Sequence, residues 1–331
     1  MKLNSLPRRG YVTAPTPLEF LPNFSKVLGK GVNIYIKRED LLPGAAGGNK
    51  TRKLDFIMAE ALKNGADTII TCGAVQSNHC RLTLSWAVKE GLDCHLVLEE
   101  RVKGTYKEDA TGNYLIYKLL GAASTTILTN GENCVDVMRE LADKLRAQGK
   151  TPLIVPSGGS NALGSAGYAA CALELFRQSY DANISIDALF TPSCSAGTQA
   201  GLMAGMAAFQ TGIPVYGINV NRKNELQIPM VRALAGETSA FIGAGPVPDE
   251  ACINYDEYIG QGYSIPTEGM IEAVKLLAHT EGILLDPVYS GKCMAGMIDL
   301  IRKGAFAANA NVVFLHTGGL PALYVYSDIF Q

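Results

Sequence analysis

Several features that would settle a protein's class are missing from this chain. Among its 331 residues no apolar run reaches the roughly eighteen that cross a bilayer, so no membrane span is expected. The opening MKLNSLPRRG has no apolar core of the kind a secretory signal needs, and a cytoplasmic location is the expectation. An excess of one charge sign is missing too. Net charge is −2, and the densest basic groups are the pairs Arg8-Arg9, Lys37-Arg38 and Arg52-Lys53. That excludes the basic stripe of a nucleic-acid binder. There are eight cysteines, but no two are spaced as CxxC. Scattered through apolar segments, they read as reduced, mostly buried thiols, with neither a disulfide framework nor a metal site expected. In that setting the sequons at Asn23, Asn49 and Asn183 carry no weight. Two phosphate signatures are also absent. No GxGxxG follows a strand, which weakens a dinucleotide reading, and no GxxxxGK[ST] exists, which argues against a P-loop NTPase.

What is present is an ordinary globular balance, 47% apolar and 18% charged. Strand-like runs alternate with helical patterns. VNIYIK, DTIITCG, CHLVLEE, TTILT and PLIVP read as strands in the first half, and IDALFTPS, PVYGINV and NVVFLH in the second. Helical spacing covers Thr51 to Ala61, Ser77 to Glu90, Gly112 to Leu120, Cys134 to Ala147, Ala162 to Gln178, Gly197 to Phe209, Glu268 to His279 and Gly291 to Ile301. Alternation on this scale predicts an α/β protein with parallel sheets covered by helices. No repeat of fixed period and no linker marks a domain boundary.

Sites in such sheets lie at the carboxyl ends of strands. Five glycine-rich or polar turns fall there: GAAGGNKTRKL, GAVQSNH, PSGGSNALG, SCSAGTQAG and HTGG. Together they suggest a shared small-molecule site, although loops are rich in glycine in any case. SCSAGTQAG opens a helix, so its backbone N–H groups could cradle a phosphate or a carboxylate; a plain tight turn fits equally well. Lys50 begins a helix, where the dipole disfavours a cation. In a desolvated pocket such a lysine loses its charge and attacks carbonyls, whereas an arbitrary lysine is a solvated surface residue. His79 and His316 are either acid–base groups or hydrogen-bonded structural residues. Tyr289 is either a proton donor or a buried aromatic, and Trp86 reads as core.

GGNKTRKL, GAVQSNH, SAGTQAG, LLDPVYSGK and HTGG, in this order, resemble the fold-type II pyridoxal-phosphate enzymes of the 1-aminocyclopropane-1-carboxylate (ACC) deaminase and D-cysteine desulfhydrase family. The likeness runs from APTPLEFLPNFS and IKREDL to HTGGLPAL, nearly the whole chain. It implies the tryptophan synthase β-like plan: two open, twisted, mainly parallel sheets covered by helices. It also implies a small domain over 48–160, a large one from 1–47 and 161–331, and a homodimer. By resemblance, Lys50 is the Schiff-base lysine, Asn78 bonds the phenolic oxygen of pyridoxal 5′-phosphate, Ala196, Gly197 and Thr198 form the phosphate cradle, and Thr317 meets the pyridine nitrogen. Ser77, Asn78 and His79 are implied as the substrate carboxylate site. Tyr263 and Tyr289 line the catalytic face and are implied in both catalysis and substrate binding.

One departure bears on the reaction. The deaminases carry glutamate directly after the tyrosine of DPVY, and this chain has Ser290. Elimination is therefore expected in place of cyclopropane opening. The resemblance favours an L-cysteate sulfo-lyase active in sulfonate metabolism, releasing pyruvate, ammonia and sulfite. The alternative is a D-cysteine desulfhydrase releasing sulfide. Arg222, Lys223 and Lys292 are available for a sulfonate, and spacing chooses none of them. A non-catalytic small-molecule binder on the same plan, or a redox sensor using Cys194 or Cys293, are the readings from other classes.

Overall fold

The computed structural model describes residues 1–129 and 131–331. In chain order its elements are β1 (Leu18–Phe20), α1 (Pro22–Leu28), β2 (Asn33–Lys37), α2 (Lys50–Lys63), β3 (Thr68–Ala74), α3 (Asn78–Lys89), β4 (Asp93–Glu99), α4 (Asn113–Leu120), β5 (Ser124–Leu128), α5 (Cys134–Ala147) and β6 (Pro152–Val155). Then follow α6 (Ala162–Asp181), β7 (Ala188–Ser193), α7 (Gly197–Ala208), β8 (Val215–Asn219), α8 (Asn224–Phe241), β9 (Cys252–Tyr255), α9 (Glu268–Glu281), α10 (Ser290–Arg302) and β10 (Asn311–Leu315). Short 3-10 turns and a final helical turn complete the chain.

The strands form two sheets. One is ordered β5-β4-β3-β6 and is parallel throughout. The other is ordered β1-β2-β10-β7-β8-β9, with only its edge strand β1 antiparallel. Every residue of β3 and of β7 is buried, which is why both read as unbroken runs with no alternation: helices cover both faces of each sheet. The expected fold class is the one observed. Four elements were not foreseen, the seven-residue α1 among them. Strands β1 and β9 are short edge pieces, and α8 carries Pro229 in its interior, which masks a helical pattern.

A buried ionic network fixes the start of α2. Arg52 donates to Glu39 (2.5 and 2.8 Å) and to Glu174 on α6 (2.8 and 2.9 Å). Lys37, at the end of β2, donates to Glu174 at 2.5 Å and to Gln178 at 2.7 Å. Tyr168 and Thr16 also donate to Glu39. Burial pushes the Glu39 carboxyl up, but Arg52 and then Lys37 bring it below its ordinary value. The first turn of α2 is thereby tied to β2 and α6, two residues from Lys50.

Candidate active site

The amino ends of α2, α3 and α7 converge on one pocket, at the carboxyl ends of β3 and β7. Its empty space is about 690 Å³, and it is lined by Lys50, Ser77, Asn78, His79, Ala196, Thr198, Tyr289 and Thr317, among others. Tyr263 reaches it through Tyr289, their hydroxyls 2.5 Å apart. Gly197, the first residue of α7, lies between two of these lining residues, Ala196 and Thr198.

Lys50 is the first residue of α2, and its Nζ donates to Asn49 Oδ1 at 3.3 Å. Burial lowers its amine to about 8, against attraction from Cys194 and Asp286. The loop before it passes very close to HTGG: a Cβ on Gly318 would lie 2.8 Å from Gly48 Cα. Only glycine fits that crossing, which brings Thr317 O to Asn49 N at 3.1 Å and holds Lys50 against the pocket.

No side chain caps α7, and Ala196 before it sits at φ +67°, where Gly197 N donates back to Ser195 O at 2.9 Å; the helix start is left without a side-chain acceptor. A Cβ on Gly197 would lie 2.6 Å from Ser160 Oγ and 2.8 Å from Lys53 Nζ. Ser160 donates to Ser195 Oγ at 2.8 Å, and Asn49 Nδ2 donates to Thr198 Oγ1 at 3.1 Å. Lys53 is fully buried and donates to Gly158 O at 3.0 Å. Burial, then neighbouring Lys50, lowers its amine well below the ordinary value; an anion in the cradle would relieve that cost. An uncapped helix start, hydroxyls and a buried lysine behind them fit a phosphate dianion.

Ser77 caps α3, accepting from Cys80 N at 3.1 Å. The orientation of Asn78 is set by its surroundings. Its Oδ1 accepts from Asn113 Nδ2 (2.9 Å) and lies 3.5 Å from Arg81 Nη2, which leaves the Nδ2 donor for a ligand. Arg81, fully buried, also donates to Asn113 Oδ1 and to the carbonyls of Ala45 and Gly47. His79 lines the pocket, but its ring nitrogens face Thr71 Oγ1 (2.8 Å) and Thr83 Oγ1 (3.4 Å), and burial drives it well toward neutrality. His316 accepts from Gly318 N, so its other nitrogen donates to Leu284 O at 3.0 Å. Both histidines are engaged in structural bonds. Trp86 is core, stacked on Tyr11 with ring centroids 3.6 Å apart.

Asp286 explains Tyr289 and Ser290 together. Its buried carboxylate accepts from the N–H groups of Val288, Tyr289 and Ser290, each at 2.8 Å, and from Ser290 Oγ at 2.6 Å. The Ser290 side chain therefore serves Asp286. Burial raises both Tyr289 and Tyr263, so their phenols stay protonated and one proton of the pair remains to donate.

Sequence reasoning missed Lys53, Asn49, Asp286 and Arg101. Arg101 lines the pocket just past the end of β4, where the strand-end rule could have found it. Of the cations considered for a sulfonate, none lines the pocket. Arg222 donates to Cys194 O, Lys223 pairs with Asp256, and Lys292 donates to the carbonyls of Ile259 and Gly262. Among the described residues no helix is long and apolar enough to cross a membrane.

The family described as "pyridoxal-phosphate dependent enzyme" matches residues 11–318. A solved structure described as an ACC deaminase homologue is 34% identical, with 99% of this chain and 96% of that one covered and a TM-score of 0.88. Two others share the fold alone. An O-ureido-L-serine synthase is 17% identical (TM-score 0.66; 99% and 95% covered), and a hydrogen sulfide-producing enzyme from Fusobacterium nucleatum is 17% identical (0.63; 96% and 95%). The chain belongs to the fold-type II pyridoxal-phosphate-dependent enzymes, and its cofactor is pyridoxal 5′-phosphate.

Proposed function

We propose that this enzyme is a carbon–sulfur lyase performing α,β-elimination on a small sulfur amino acid, with L-cysteate the favoured substrate. L-Cysteate and water would give pyruvate, ammonium and hydrogen sulfite. The observation that carries this reading is the inner pocket lining: among the described residues it holds no Asp or Glu, and it holds Arg101, whose partner Glu99 lies outside it. The deaminases have a glutamate where Ser290 stands, and here that side chain is turned to Asp286. A pocket without carboxylates favours a substrate with two acidic groups over one with a single carboxylate and a thiol.

Pyridoxal phosphate, when bound, supplies an electron-accepting ring that weakens the Cα–H bond of an attached amino acid. In this reading Lys50 would hold its aldehyde carbon, Asn78 Nδ2 its phenolic oxygen, and Thr317 its ring nitrogen. The loop Ala196, Gly197, Thr198 holds its phosphate. The start of α3, with Ser77 and Asn78, takes the substrate carboxylate on N–H groups favoured by the helix dipole. Once the substrate amine has taken its place on the aldehyde carbon, the freed Lys50 amine, lowered toward neutral pH, would be the base for the Cα proton. The Cα–H electron pair forms the new double bond, the Cβ–S pair leaves with sulfur, and the Tyr263–Tyr289 pair can protonate a poorer leaving group such as a thiolate.

The test is a substrate panel on the purified enzyme, with pyruvate, sulfite and sulfide all assayed. Sulfite from L-cysteate with little turnover of D-cysteine is the expected result. Sulfide from D-cysteine with cysteate inert would make the enzyme a desulfhydrase. Two further proposals rest on the family resemblance: domains of 48–160 against 1–47 plus 161–331, to be checked by limited proteolysis, and a homodimer, to be checked by sedimentation.

A further inference from the structure

We propose that Arg101 is the specificity-determining residue of this pocket, its guanidinium taking the anionic β-substituent of the substrate, a sulfonate. This rests on the elimination reading above and names what selects among sulfur amino acids. Arg101 stands where the inner pocket meets an outer cavity with about 1820 Å³ of empty space, and it lines both. Tyr263 also lines the outer cavity, so this is the face along which a substrate side chain would lie.

The arginine is held on two sides. Its Nε and Nη2 both donate to Glu99 Oε2, at 3.0 and 2.7 Å, and its guanidinium carbon lies 4.9 Å from the Tyr263 ring centre. These contacts fix the plane of the group and leave Nη1, with one edge, for a ligand. A guanidinium held this way presents donors in a fixed fork, which suits a sulfonate oxygen pair better than a mobile ammonium would. Arg101 keeps its charge at any working pH.

The placement also separates the two acidic ends of the substrate. The carboxylate goes to the start of α3, the amine lies near Lys50, and the β-substituent is left to the side lined by Arg101 and the tyrosines. A neutral thiol there would gain little from a cation on binding, whereas a sulfonate would gain a charge-assisted pair from the outset. The same pair is kept while the Cβ–S bond breaks, so it holds the bound sulfonate and the departing sulfite about equally.

The experiment compares wild-type holoenzyme with Arg101→Met and Arg101→Lys on L-cysteate and on β-chloro-L-alanine. Chloride leaves from the latter without help from a cation. For Arg101→Met we expect kcat/KM on L-cysteate to fall about 30- to 100-fold, mostly through KM, as befits one charge-assisted contact. Turnover of β-chloro-L-alanine should stay within about threefold, which also shows that the variant folds, and Arg101→Lys should fall between. An equal loss on both substrates, or no loss on L-cysteate, overturns the proposal. If wild type releases no sulfite, the L-cysteate reading fails separately. Calorimetric titration with 3-sulfopropanoate then still reads the arginine: tighter binding to wild type than to Arg101→Met supports it, and equal binding refutes it.

Discussion

Lys50 and Lys53 stand on the first turn of one helix, where its dipole opposes both charges, and burial lowers both amines. The cost has a definite pH signature. Lys50 titrates near 8 in the folded chain, against about 10.4 in an unfolded one. Below about 8 the unfavourable buried ammonium is fully present, and it is relieved as pH rises from there toward the unfolded value. Lys50→Met should therefore raise the melting temperature of cofactor-free protein at pH 7, with the gain shrinking by about pH 10. Calorimetry at the two pH values checks this, and a destabilised variant would contradict it. The sequence marked Lys50 only through the motif around it. The lowered amine follows from burial, which no spacing in GGNKTRKL reveals. Likewise Asn78 was legible as a residue, but the direction of its amide comes from Asn113 and Arg81, distant in sequence or unremarked within it.

At the scale of elements, the position of α2 depends on the Arg52–Glu39–Glu174–Lys37 network linking it to β2 and α6. Removing one partner leaves buried charge uncompensated. Arg52→Met should lower stability by about 3–5 kcal/mol, read by urea denaturation. Because the Glu39 carboxyl is held below its ordinary value, its contribution is present above the ordinary carboxylate range and is lost as pH falls through its folded value. The acid sensitivity of wild type should accordingly exceed that of the variant. The longer helices and central strands were legible because their apolar periodicity is local. Strand β1 is three residues long and α8 contains Pro229; both exist because neighbouring strands and helices complete them, which local pattern cannot show.

At the scale of the whole molecule, the pocket draws Gly73 and Ala74 from one sheet and Pro192 and Ser193 from the other. A ligand seated there ties the sheets together and stabilises only the folded chain. Pyridoxal phosphate at a hundredfold excess over its Kd should add about 2.7 kcal/mol, and each further tenfold about 1.4 kcal/mol. A melting temperature independent of added cofactor would refute binding at this site. The sequence by itself determined the α/β alternation, the five strand-end turns and, by resemblance, the cofactor family, because each is carried by residues close together in the chain. Tertiary structure alone decided that the Ser290 side chain serves Asp286, that Arg222, Lys223 and Lys292 stand away from the pocket, and that Arg101 faces it. Those outcomes depend on contacts between segments far apart in sequence, where side-chain direction is set by packing.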